Sequence, residues 1–152
     1  MGAFKPESRT IFLADDDEDD RLFFYDALKG VDADATLQTA ENGLQLMDML
    51  RAAPLPGPDL IFLDLNMPLK SGYECLAEIR AREQWDHLPV IIISTSIQPE
   101  GVEYVYDHGA SLYIVKPNEF GQLRKFIEQA LIMHSEGVLK VPSKEKFILR
   151  VS

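Results

Sequence analysis

A chain of 152 residues, 46% hydrophobic and 26% charged, is long enough to bury a core of its own and gives no reason to expect extended disorder. Its formal net charge of -10 repels a phosphate backbone, and without a basic patch this argues against nucleic-acid binding. The lone Cys75 excludes an internal disulfide, no apolar run is long enough to span a membrane, and Met1 to Pro6 lacks the apolar core of a signal peptide, so the cytoplasm is the expected location.

Residues 1–9 read as a polar lead, residues 10–134 as one domain and residues 135–152 as a tail. Thr10 to Ala14 reads as a strand. A helix follows from Glu18 to Lys29, with Asp17 placed to cap it. Ala35 to Thr39 is a weaker strand, and Gly43 to Ala52 a helix that ends before Pro54, Pro56, Gly57 and Pro58. Asp59 to Leu63 is a continuous apolar strand, Asn66 to Gly72 a loop, and the stretch carrying Tyr73, Leu76, Ala77, Ile79 and Arg80 a helix. Val90 to Ile93 is the strongest strand. A helix from Pro99 to Asp107, a strand from Leu112 to Val115 and a helix from Glu119 to Met133 complete five strands alternating with five helices. Such alternation implies a parallel sheet with helices on both faces.

In an open parallel sheet the functional crevice lies at the carboxyl ends of the strands. Asp15 and Asp16 directly follow the run Ile11-Phe12-Leu13-Ala14, and Asp64 directly follows Leu60-Ile61-Phe62-Leu63. Charge at the end of a buried strand has little structural purpose and needs a partner. Two carboxylates about 4 Å apart repel by up to roughly 4 kcal/mol at an effective dielectric near 20, so something positive must offset them. Magnesium, with its octahedral oxygen shell, suits such a rim, and Lys116 after the fifth strand offers an ammonium. Ser94, after the fourth strand, adds a hydroxyl that can hold a phosphoryl oxygen. Asp17 to Asp20 read as a solvated turn with favourable charge at a helix N-terminus. His87, His108 and His134 are too scattered to form a metal set, and no Walker loop or dinucleotide turn is present.

IFLADDDEDD, DLIFLDLNMP, PVIIISTS and YIVKPN, in this order and spacing, resemble the receiver domains of two-component response regulators. The narrower likeness is to single-domain regulators that serve phytochrome-type kinases. The resemblance implies a flavodoxin-like α/β fold, (βα)5 and doubly wound, with strand order 2-1-3-4-5. It implies Mg2+ as cofactor and a sensor histidine kinase or histidine phosphotransfer protein as phosphodonor. Asp64 matches the phosphoacceptor. Asp16 matches a direct metal ligand, Asp15 one acting partly through water, and Asn66 one offering its backbone carbonyl. Lys116 matches the lysine that pairs first with the aspartate and then with the phosphoryl group. Ser94 matches the hydroxyl that moves onto the new phosphoryl oxygen, and Tyr113 the aromatic that rotates inward behind it. Asn66 and Ser96 match positions that tune phosphoryl lifetime. Ser94 stands where threonine is commoner, and Thr95 where many receivers keep a smaller residue.

The function so implied is that of a stand-alone phosphoacceptor with slow autodephosphorylation rather than an enzyme. It would signal to a downstream protein through the fourth helix and fifth strand, Gln98 to Tyr113. Two alternatives are a haloacid-dehalogenase-like phosphatase, for which Asp15 and Asp17 supply an Asp-x-Asp but Asp19 does not fit, and a non-phosphorylated pseudo-receiver. Val138 to Val151 carries Phe147-Ile148-Leu149, more apolar than a disordered tail requires, and is expected to pack on the domain or pair with a partner. Dimerisation is left open.

Overall fold

In the computed structural model, residues 8–139 and 146–151 are described; the N-terminal stretch to Pro6 and the tail's Pro142, both drawn into the sequence reading, lie outside them. The elements run β1 (Thr10–Ala14), α1 (Glu18–Val31), β2 (Thr36–Ala40), α2 (Gly43–Ala52), β3 (Leu60–Leu63), α3 (Gly72–Arg80), a 3-10 turn (Glu83–Trp85), β4 (Val90–Ser94), α4 (Pro99–Asp107), β5 (Leu112–Val115), α5 (Phe120–Ser135) and β6 (Ile148–Leu149). The sheet is parallel throughout, in the order β2-β1-β3-β4-β5-β6. The expected order 2-1-3-4-5 is present, extended by one short strand at the β5 edge.

Side chains alternate across a strand, so a sheet covered on both faces demands continuous apolar runs. Phe12 and Ala14, Ile61 and Leu63, Val90 and Ile92, and Tyr113 face one core with α2 and α3. Ile11 and Leu13, Leu60 and Phe62, Ile91 and Ile93, and Leu112 and Ile114 face a second core with α1 and α5. Phe24 of α1 packs edge-on against Phe62, ring centroids 4.8 Å apart, which fixes that helix over the central strand. β2 lies at the sheet's edge and is mostly exposed, so its pattern is weak and its boundaries fall one residue later than the sequence suggests.

Helix starts are set by local side chains. Asp17 caps α1 by accepting the Asp20 N–H, as its position predicts, and Asn42 caps α2 by accepting from Gln45. At α3, Ser71 and Glu74 form a reciprocal capping box, which together contribute about 1 kcal/mol. Cys75 packs inside α3, and burial pushes its thiol up to about 11, so it is an inert core residue at neutral pH.

The described part of the tail returns to the sheet. Ile148 and Leu149 pair in parallel with Tyr113 and Ile114, the Tyr113 N–H donates to the Phe147 carbonyl at 2.9 Å, and Phe147 is 1% exposed.

Candidate functional site

Three chain reversals deliver the polar residues to one end of the sheet. The ladder extends one step past the apolar strands: the Asp15 N–H donates to Ala40 at 3.0 Å, Asp64 to Ala14 at 2.9 Å and Lys116 to Ser94 at 2.9 Å. Asp15, Asp64 and Lys116 are therefore held in sheet register, not on free loops.

Asp15, Asp16 and Asp64 each bring a carboxylate oxygen within 4.8 Å of the others. Asp15 and Asp64 are buried, 2% and 7% exposed, while Asp16 is open to solvent. The Lys116 ammonium sits among them, 2.8 Å from Asp15 Oδ2, 2.9 Å from Asp20 Oδ2 and 3.3 Å from Asp64 Oδ2. Burial raises the carboxyls of Asp15 and Asp64 above the ordinary carboxylate range, and the ammonium only partly opposes it. For Lys116, burial alone would lower the ammonium; the hydrogen bonds to Asp15 and Asp20 and the charge of Asp64 outweigh it and hold it above its ordinary value. Three carboxylates thus contact one cation, and a fourth, Asp16, lies close to two of them. Their excess negative charge, and the all-oxygen donor set of Asp15, Asp16 and Asp64, fit a hard divalent ion.

The two oxygens of Asp64 differ. Oδ1 accepts the Leu65 N–H at 2.7 Å, while Oδ2 faces Lys116. Asp15 is anchored likewise, with Oδ1 accepting the Asp17 N–H at 3.0 Å. Asp17 itself caps α1, so it is not the second aspartate of a phosphatase Asp-x-Asp pair; the buried carboxylate beside Asp15 comes from a different strand. Asn66 lies exposed on the loop after Asp64.

Ser94 and Tyr113 are fully buried. They meet through one residue, Ser96: its N–H donates to Ser94 Oγ at 3.2 Å, and its carbonyl accepts from the Tyr113 hydroxyl. The ring of Tyr113 is already turned inward in this structure. Burial, opposed by the Ser94 hydroxyl, raises its phenol above the ordinary value. Thr95 is exposed.

Asp20 is the site residue that sequence reasoning missed. Its sequence context reads as a solvated first turn, yet its carboxylate turns back onto Lys116, 96 residues away. A local charge run carries no signal of so distant a partner. The other tightly constrained position is Gly72, where a Cβ would lie 2.1 Å from the Asp64 carbonyl oxygen and 2.8 Å from Leu65 Cα. Both neighbours are backbone, so Gly72→Ala must displace the turn that carries Asp64. It is expected to lower stability by about 1–3 kcal/mol, read as a drop in the urea midpoint; an unchanged midpoint would show that the loop yields freely.

Comparison with known proteins agrees with this geometry. A sequence profile of the response regulator receiver domain matches residues 11–128. The response regulator Rcp1 of Synechocystis sp. is 31% identical over 124 residues, 79% of this chain and 84% of Rcp1. The chemotaxis protein CheY-3 of Vibrio cholerae is 30% identical over 129 residues, 85% of this chain and 96% of CheY-3. Among solved structures, the phosphorylated cyanobacterial phytochrome response regulator RcpA superposes with TM-score 0.78 at 31% identity, over 90% of this chain and 99% of RcpA. The Mn2+-bound form of Rcp1 gives TM-score 0.72 at 28% identity, over 89% of this chain and 99% of that one.

Proposed function

This chain belongs to the response regulator receiver family, and on that premise we propose that it accepts a phosphoryl group on Asp64 from the phosphohistidine of a sensor histidine kinase or histidine phosphotransfer protein. The observation that carries the proposal is the meeting of Lys116 with Asp15 and Asp64, residues from three separate strand ends.

With Oδ1 of Asp64 committed to the Leu65 N–H, Oδ2 is the nucleophile. Its electron pair attacks phosphorus in line, the P–N bond breaks, and the imidazole nitrogen keeps that pair and takes a proton from solvent. Asp64 becomes a mixed anhydride. Phosphoryl transfer asks the protein mainly for positioning and charge stabilisation, and the Lys116 ammonium meets the transferring oxygens. Bound magnesium, held by Asp15, Asp16, Asp64 and the backbone carbonyl of Asn66, would neutralise phosphoryl oxygens and relieve the repulsion among the carboxylates. Water attack on phosphorus later returns the free carboxylate, at a rate open to Asn66 and Ser96 beside the site. One phosphoryl group per transfer makes the chain a phosphoacceptor rather than a turnover enzyme.

Output follows as a population shift: the phosphoryl group must interact better with one arrangement of α4 and β5 than with another. Ser94 Oγ moving onto a phosphoryl oxygen draws on the Ser96 N–H that it accepts, and the carbonyl of the same residue holds the Tyr113 hydroxyl. The loop between β4 and α4 is therefore the element that moves, and Gln98 to Tyr113 the surface that a downstream protein reads. No described helix is long and apolar enough to cross a membrane, and the site of action proposed is the cytoplasm.

Incubation with magnesium and a small acyl phosphate, followed by intact-mass measurement, is expected to show the gain of one phosphoryl group, lost on chelation of the metal. No gain at saturating magnesium would overturn the assignment.

A further inference from the structure

We infer that Asp20 is a positioning residue of the phosphoacceptor site: by holding Lys116 on the α1 side it opposes transfer of the ammonium to the phosphoryl group, and so weakens the phosphorylated form. The inference rests on Asp64 being the acceptor.

An ammonium has three donors, and all three are engaged. The two short contacts of Lys116 go to Asp15 and Asp20, 2.8 and 2.9 Å, and the long one, 3.3 Å, to the acceptor Asp64. A phosphoryl group on Asp64 adds new anionic oxygens beside this ammonium. To meet them, Lys116 must give up a partner. Asp15 is poorly placed to yield, because its side chain is 3% exposed and water cannot take the place of the ammonium there. The Asp20 side chain is 45% exposed, so water replaces Lys116 there at a lower cost than at Asp15.

Asp20 has no other evident task at the site. Among the described residues, the carboxylates close enough to share one cation are Asp15, Asp16 and Asp64, without Asp20. It stands instead beside a small cavity of about 30 Å³, walled by Phe23, Ile93 and Leu123, with Lys116 at its rim. The apolar wall limits hydration of the pair on that side and favours the ion pair over two solvated charges. Asp20 therefore biases the site toward its unphosphorylated arrangement.

Beryllofluoride, which coordinates a carboxylate as a phosphoryl mimic, tests this at saturating magnesium by fluorine NMR titration. Asp20→Asn is expected to bind it roughly two- to fivefold more tightly than wild type, the range for a half-exposed ion pair. Asp19→Asn, which removes the same charge one residue away, is expected to leave affinity unchanged. In a Lys116→Ala background the effect of Asp20→Asn should vanish, since it acts through that ammonium. Affinity of Asp20→Asn equal to or below wild type overturns the inference, as does an equal gain from Asp19→Asn or a gain that survives without Lys116. If Lys116→Ala binds no beryllofluoride, the comparison of Asp20→Asn with Asp19→Asn decides alone. A wild-type chain that fails to bind the mimic would instead sink the acceptor assignment for Asp64.

Discussion

Replacing Asp64 with Asn is expected to abolish phosphoryl uptake completely while leaving the thermal midpoint, in metal-free buffer at neutral pH, at or above that of the wild-type chain. Loss of uptake follows because an amide has no anionic oxygen to form the anhydride. The stability half follows from the site's electrostatics. Burial, with the charge of Asp15 adding to it, raises the Asp64 carboxyl above its ordinary value of 3.8 despite Lys116. The folded chain thus binds this proton more tightly than the unfolded chain does. The ionised form costs stability at every pH above the folded pKa. That cost shrinks as pH falls through the folded pKa toward 3.8 and is absent below it. The advantage of Asp64→Asn should therefore be greatest at neutral pH and disappear on acidification to about pH 4. Magnesium should raise the wild-type midpoint more than the variant's, because a cation held by the native cluster stabilises by mass action. Intact-mass measurement and melts at several pH values check both halves. Residual uptake, or a variant markedly less stable at neutral pH, would refute the argument.

A buried carboxylate whose charged form its surroundings disfavour marks a candidate functional site, and it is legible because strand and charge collide in the sequence. β1, β3 and β4 read clearly since both faces are buried, which leaves apolar runs with no competing pattern. Asp15 and Asp64 stand out as the first charges after β1 and β3, and Lys116 as the first after β5. The parallel sheet followed from alternation, whereas the order of its strands came only with the family resemblance, because local pattern says nothing about which strands become neighbours. β2 shifted by a residue since only its last residue, Ala40, is buried within the strand. The turn at Glu83–Trp85 is fixed by Trp85 entering the core at 3% exposure, a tertiary contact that no turn residue announces. Asp20 was hidden for the same reason: helix-start chemistry explains an acidic residue there well enough that nothing pointed to its long-range partner.

The largest stability effect is expected at the far end of the chain, from Phe147→Ala. Its ring stands edge-on to Tyr106 of α4 at 5.0 Å and to Tyr113 of β5 at 6.2 Å. It is therefore the side chain that ties β6 to α4 and β5. Two residues of parallel pairing cannot hold a strand unaided, so the burial of Phe147 supplies most of the docking energy. Truncating an interior phenylalanine costs about 3–5 kcal/mol when the cavity persists. A terminal strand, however, can detach instead, which caps the loss near the docking energy, and about 2–4 kcal/mol is expected here. For a chain of this size that lowers the thermal midpoint by roughly 4–16 °C. Detachment predicts more than a lower midpoint. The Tyr113 N–H, bonded to the Phe147 carbonyl, should lose hydrogen-exchange protection, while the amides of β1 and β3 stay protected under native conditions. A variant with wild-type stability and a protected Tyr113 amide would show that pairing, not the ring, holds β6 in place.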